Sequence, residues 1–288
     1  MTAGKPGTEI QVMKTRHLAV IAWLLATLPL AAYASHFANL EGNPGLRSAS
    51  AFVTSEDGKV IYGKDIDTVR PIASLTKLMT AIVILDSNLD LNEKITVTKA
   101  DRDLLQLTGS RLEYGASLSR REMLLVAIMA SENRAATALG RTWPGGMEQF
   151  VKSMNSMATK LGMQNSRFAD PAGLSVENVS TARDLMKMVT AANNYDLIRE
   201  ASTTTRISVR PYQKRGPLVY GNTNRLLKNK TWDIELSKTG YIMEAGRCLV
   251  MQANIEGEMV SIVLLNSYGK LTPFGDSNRL RQWMLSDS

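Results

Sequence analysis

Apolar residues recur along this chain at two spacings, and the spacing changes with position. Residues 50–53 and 59–62 alternate apolar with polar around Glu56-Asp57-Gly58, which predicts a β-hairpin. After Pro71 the run SLTKLMTAIVIL, residues 74–85, has helical spacing and is apolar on most sides. Such a helix belongs inside a large domain rather than on its surface. Ser119-Arg120-Arg121-Glu122 reads as a capping box, and the MLLVAIMA that follows as a second apolar helix ending near Ser131. A third helix is expected over 148–161, stopped by Gly162. Ser180 and Thr181 can cap a fourth that runs to about Asn193. Residues 232–236 alternate, 248–254 and 259–267 read as strands joined at Glu256-Gly257, and a final amphipathic helix spans about 277–285.

The order is therefore a hairpin, a helical middle, more strands and a closing helix. Strands held apart by a long helical insertion argue for an α+β fold, with one antiparallel sheet assembled from both ends of the chain. No linker rich in proline, glycine or serine divides this region, so one domain is expected over residues 35–288.

The first residues follow a different rule. Lys14, Arg16 and His17 precede an apolar run of about fifteen residues, and Ala32-Tyr33-Ala34 closes it. A basic head, an apolar stretch too short for a membrane span and a small-x-small end predict a secretory signal peptide over 1–34, cleaved after Ala34. Met13, directly before the basic head, is an alternative start. An exported, periplasmic enzyme without a stable membrane anchor is the expectation. The chain also stops soon after the closing helix, so neither a second β-domain nor a C-terminal anchor is expected.

Composition narrows the chemistry. The 288 residues are 44% apolar and carry a net charge of +7, which falls to +5 when Lys5, Lys14, Arg16 and Glu9 leave with the signal peptide. The remaining basic residues are scattered, without a stripe or interleaved aromatics, so nucleic acid is not an expected partner. Cys248 is the single cysteine, and removal of the leader leaves His36 as the single histidine, near a terminus. A Ser-His-Asp triad, a Cys-His dyad, a histidine zinc site and an internal disulfide are all disfavoured. A nucleophile here needs another base.

Three short motifs offer one. Ser74-Leu75-Thr76-Lys77 is S-x-x-K at a helix start, which puts the Lys77 amine one turn on and on the face of Ser74. Unpaired N–H groups and the helix dipole there favour developing negative charge. Ser131-Glu132-Asn133 is S-x-N in a loop between helical stretches. Lys238-Thr239-Gly240 is K-T-G on an expected strand: a lysine and a hydroxyl make a carboxylate clamp, and the glycine admits a substrate backbone. Two further matches lack this context. Ser267-Tyr268-Gly269-Lys270 reads as a strand end running into a turn, and Ser153-Met154-Asn155 as the solvated side of a helix. Cys248 reads as a buried strand residue, and the methionines as core filler.

S-x-x-K, S-x-N and K-T-G in this order are the signature of penicillin-binding proteins and serine β-lactamases. With Arg70-Pro71-Ile72-Ala73-Ser74, Ser131 to Ala136, Gly173-Leu174-Ser175 and Ser180 to Asp184, the chain resembles the low-molecular-mass penicillin-binding proteins, the serine DD-peptidases. Within them it is most similar to the periplasmic D-alanyl-D-alanine endopeptidases of Gram-negative bacteria. The resemblance covers nearly all of residues 52–283. It implies a β-lactamase/transpeptidase-like fold, a five-stranded antiparallel sheet flanked by helices plus a mostly helical lobe.

It also implies roles. Ser74 would be the nucleophile and Lys77 its base, made neutral by burial and by the like charge of Lys238. Ser131 would relay a proton to the leaving amine, and Asn133 would bind the substrate amide. Lys238 and Thr239 would hold the terminal carboxylate beside Gly240, with the oxyanion between the N–H groups of Ser74 and Tyr241. No cofactor or metal is implied. Peptidoglycan stem peptides are the implied substrates and β-lactams the covalent inhibitors.

Four activities share these residues. Cleavage of D-alanyl to diaminopimelate cross-links is favoured by the overall similarity. DD-carboxypeptidase activity is the alternative, since it differs only in the leaving group. A class A β-lactamase needs Glu-x-x-x-Asn before K-T-G, whereas here Asn178 follows Glu177 directly. A non-catalytic muropeptide-binding module is favoured by nothing, because every motif residue is intact. The basic stretch 206–217 is expected to be a loop that lines the cleft.

Overall fold

The hairpin expected near residue 50 is one edge of the main sheet in the computed structural model, which describes residues 1, 2, 4, 37 and 40–286. In chain order the strands are β1 (Ser50–Ser55), β2 (Val60–Lys64), β3 (Arg70–Pro71), β4 (Lys94–Thr96), β5 (Ser117–Ser119), β6 (Val179–Ser180), β7 (Arg206–Val209), β8 (Leu218–Gly221), β9 (Asp233–Ile242), β10 (Gly246–Ile255) and β11 (Glu258–Ser267). The helices are α1 (Thr76–Leu85), α2 (Arg120–Met129), α3 (Asn133–Arg141), α4 (Gly146–Lys160), α5 (Ala182–Ala192), α6 (Asp196–Thr203) and α7 (Thr272–Ser286). The signal-peptide segment and both histidines lie outside the described residues, apart from Met1, Thr2 and Gly4.

The main sheet has the order β2-β1-β11-β10-β9, antiparallel throughout, so both ends of the chain do build one sheet. Its two faces are both covered. Phe52, Val250, Val263 and Leu265 pack under the helical lobe, while Val53, Leu249, Met251 and Ile262 pack against Leu280 and Met284 of α7. That is why β10 and β11 read as continuous apolar runs instead of alternating ones: burial on both faces removes the polar positions.

Helix α1 sits in the middle of the lobe, with nine of its ten residues buried. Helix α2 is opened by the Ser119–Glu122 capping box, in which the Ser119 hydroxyl accepts from the Glu122 N–H at 3.1 Å. Thr181 caps α5, and Gly162, at φ +71°, ends α4. Helix α7 begins five residues earlier than its apolar spacing suggested, because Pro273 is tolerated in a first turn where an N–H has no partner. The stretch 206–217 is a loop only over residues 210–217; residues 206–209 form a strand. Strand β7 pairs with β8 in register Ser208 to Val219, and the turn is tied down by an Arg215–Glu113 ion pair at 2.7 Å.

Candidate active site

Ser74 is presented by a turn that glycine makes possible. It lies in a 3-10 turn, Ala73–Leu75, leading into α1, and Ala73 holds φ +49°. Gly173 packs so closely on this turn that a Cβ there would lie 2.0 Å from the Ala73 carbonyl oxygen. Non-glycine residues avoid such positive φ values, and where they persist, as at Ala73 and at Ser131 with φ +59°, the surroundings must enforce them.

One turn on, Lys77 is fully buried. Its Nζ donates to Ser74 Oγ at 2.9 Å, Asn133 Oδ1 at 2.7 Å and the Ala172 carbonyl at 2.6 Å. Burial lowers its pKa from 10.5 to about 7, against the opposing pull of Asp170, Glu132 and Asp103. In the neutral amine the contact to Ser74 reverses, with the hydroxyl donating into the nitrogen lone pair. Lys77 is therefore poised to take the Ser74 proton near neutral pH.

The carbonyl of Ala172 is aimed by a residue that the sequence did not single out. Asp170 accepts backbone N–H bonds from Ala172 and Gly173 at 2.7 Å on one oxygen, and from Ser175 at 2.7 Å on the other. Its Oδ2 also takes the Asn178 amide at 2.6 Å, and Thr80 ties Pro171 to α1 at 2.7 Å. Asp-Pro-x-Gly is a turn signal, and it was the available clue.

Ser131 and Asn133 flank Glu132, the N-cap of α3. The Glu132 carboxylate is buried and accepts from Ser110 Oγ at 2.6 Å. Asn133 bridges two segments, accepting from Lys77 and donating to Thr108 Oγ at 2.8 Å.

The opposite wall is β9, an edge strand of the sheet. Lys238 is buried, and its Nζ donates to Ser131 Oγ at 3.1 Å and to the Thr239 carbonyl at 2.8 Å. Burial, then the charge of Lys77, hold its pKa well below the usual lysine value. The repulsion expected between the two amines thus appears at Lys238; burial is what lowers Lys77. Thr239 Oγ lies 2.6 Å from Thr223 Oγ. At Gly240 a Cβ would stand 3.0 Å from the Ile72 carbonyl and 3.2 Å from the Ser74 nitrogen, so only glycine lets the two walls approach this closely. Tyr241 is half exposed and pairs across the sheet with Arg247, whose guanidinium stacks 3.6 Å above its ring.

The walls enclose a cleft of about 370 Å³ lined by Ser74, Ser131, Asn133, Thr239, Gly240 and Tyr241. Lys77 and Lys238 underlie it. All eight sequence-selected residues are thereby brought together. Thr223, Arg225, Arg247 and Lys270 also line the cleft, and no pattern in the sequence marked the first three. The second S-x-x-K does not form a pair: Ser267 Oγ is buried against Ser48 Oγ at 2.7 Å, and only Lys270 reaches the cleft. Asn155 is not on a solvated face either; its amide clamps the backbone of Phe168 at 2.8 and 2.9 Å. No residue of 206–217 lines the cleft. Cys248 is buried in β10, and burial pushes its thiol up to about 11.

Comparison with known proteins fits this geometry. The family model described as D-alanyl-D-alanine carboxypeptidase matches residues 38–269. A D-alanyl-D-alanine endopeptidase of Pseudomonas aeruginosa is 48% identical over 240 residues, which is 83% of this chain and 77% of that protein. The Escherichia coli protein of the same name is 44% identical over 248 residues, 86% of this chain and 80% of its own. A crystal structure of a Streptomyces DD-transpeptidase superposes with a TM-score of 0.79 at 29% identity, covering 85% of this chain and all of that one. The chain belongs to the D-alanyl-D-alanine carboxypeptidase family of serine hydrolases.

Proposed function

We propose that this protein is a serine DD-endopeptidase that hydrolyses D-alanyl to diaminopimelate cross-links between peptidoglycan stem peptides. The observation that carries the chemistry is the fully buried Lys77 amine, 2.9 Å from Ser74 Oγ in an open cleft. The choice of leaving group rests on the two relatives named endopeptidase at 48% and 44% identity.

Ser74 Oγ attacks the carbonyl of the penultimate D-alanine while neutral Lys77 takes its proton. The oxyanion is held by the backbone N–H groups of Ser74 and Tyr241, a pair of donors worth several kcal/mol to the transition state. Ser131, bonded to Lys238, passes a proton to the departing amine. Asn133 holds the substrate amide, Lys238 and Thr239 hold the carboxylate, and Gly240 leaves space for the substrate backbone along the edge of β9. Water then hydrolyses the Ser74 ester. β-Lactams enter by the same attack and acylate Ser74. Residues 1–34 are the cleaved leader, and 35–288 the mature periplasmic domain.

The test is a chromatographic digest of a cross-linked muropeptide dimer and a monomeric pentapeptide, with the mature protein and its Ser74→Ala variant. Conversion of dimer to monomers that disappears in the variant supports the proposal. Release of D-alanine from the pentapeptide alone would move the protein to the carboxypeptidases, the name borne by a Bacillus subtilis relative at 31% identity.

A further inference from the structure

The cleft does not end at the carboxylate clamp. Beyond Thr239 and Tyr241 it continues between Arg225, Arg247 and Lys270, closed by Pro273 and Phe274. At about 370 Å³ it is in the size range that holds a drug-sized ligand, more than one alanine needs.

Its charge is one-sided. Three cations line it and no carboxylate does. Several arginines elsewhere on the surface are matched by carboxylates, among them Arg70 with Asp65, Arg121 with Glu200 and Arg183 with Asp67. Among the described residues Arg225, Arg247 and Lys270 form no ion pair.

These cations come from three separate segments. Arg225 follows Thr223, whose hydroxyl touches Thr239. Arg247 is fixed over the Tyr241 ring across the β9–β10 pair. Lys270 lies in the link to α7, and Pro273 and Phe274 in the first turn of that helix add its positive dipole end. Cations converging on a pocket without acids concentrate anionic ligands there.

We propose that Arg225, Arg247 and Lys270 form a second anion subsite beyond the Lys238–Thr239 pair, recognising the additional carboxylates of a leaving group that is itself a peptide. This rests on the endopeptidase reading. A departing D-alanine carries one carboxylate, which the clamp already takes. The acceptor stem of a cross-link carries that carboxylate and others further along its chain. The subsite therefore favours cross-linked substrate over a free pentapeptide.

The experiment compares kcat/KM on dimer and pentapeptide for wild type, Arg247→Gln and the Arg225→Gln/Lys270→Gln double variant. Thermal midpoint and fluorescent-penicillin labelling of Ser74 verify that each is folded. The ratio of dimer to pentapeptide activity is expected to fall at least tenfold, about 1.4 kcal/mol of selectivity. Added salt should slow wild-type dimer cleavage more than pentapeptide cleavage. Arg247→Lys, which keeps the charge, should recover much of the ratio. An unchanged ratio, an equal loss on both substrates, or Arg247→Lys as poor as Arg247→Gln in folded protein would overturn the subsite. A wild type that cleaves pentapeptide and leaves dimer intact would instead overturn the endopeptidase reading itself.

Discussion

In the proposed mechanism the charge state of Lys77 sets the pH at which Ser74 is activated, and the size of the shift follows from burial. With its pKa lowered from 10.5 to about 7, roughly half of the Lys77 side chains are neutral at pH 7, against about one in 3,000 for an unburied lysine. The β-lactam acylation rate should therefore rise tenfold per pH unit on the acid side, bend near pH 7 and stay flat above it. Stopped-flow acylation with a fluorescent penicillin, from about pH 5 to pH 10, measures this directly. The sign of the accompanying stability change is fixed. The folded-state value lies below the unfolded one, so the unfolded chain binds the extra proton between about pH 7 and 10.5, and stability rises with pH across that window. Keeping the ammonium buried below pH 7 costs on the order of 5 kcal/mol. Glu132→Gln removes one of the carboxylates that favour the charged form, so the bend should move to lower pH. Because Lys77 and Lys238 interact, the bend belongs to the pair. A rate still climbing through about pH 9, or a bend that Glu132→Gln leaves in place, would refute the reasoning.

Other residues give sharper structural tests. Gly173→Ala combines φ +75° with a Cβ 2.0 Å from the Ala73 carbonyl; penicillin labelling should fall more than about tenfold and stability by about 1–3 kcal/mol in thermal unfolding. Asp170→Ala releases the backbone N–H groups of Ala172, Gly173 and Ser175 and the hold on the Ala172 carbonyl, so unfolding should come at least about 2 kcal/mol earlier, with loss of labelling. Cys248, buried and with its thiol pushed up to about 11, should resist a disulfide reagent at about pH 8 in native protein and react once the chain is unfolded.

Much of the fold was legible because burial and capping leave local marks. Helix α1 is apolar on nearly every side because nine of its ten residues are buried, and the Ser119–Glu122 capping box marks the start of α2 within four residues. The motif residues were legible as types because each lies within three residues of its partners. What was missed depends on distant contacts. Asp170 matters through the loop it folds against Lys77, and Glu132 through Ser110, twenty-two residues earlier. Helix α6 has eight residues and follows α5 after Asn193-Asn194-Tyr195, too short to show a periodicity of its own. The hairpin of β7 and β8 was misread because its outward arginines dominate the composition while Val209 and Tyr220 supply the buried side.

The pairing of β1 with β11 sets Ser50 opposite Leu265, so the centre of the sheet is closed by residues more than two hundred positions apart. Contacts of that separation are slow to form, because a long loop must be closed before any pairing rewards it. A chain emerging from its N-terminus has β1 and β2 in hand but lacks β9, the wall that faces Ser74, until its last quarter arrives. Helix α1, which Ser74 leads into, is local in sequence, yet the cleft completes only with the C-terminal strands. Completion of the cleft thus waits for strands encoded in the last quarter of the chain. Covalent labelling of Ser74 by a β-lactam would then count finished molecules, making the acylation reaction a readout of folding as well as of chemistry.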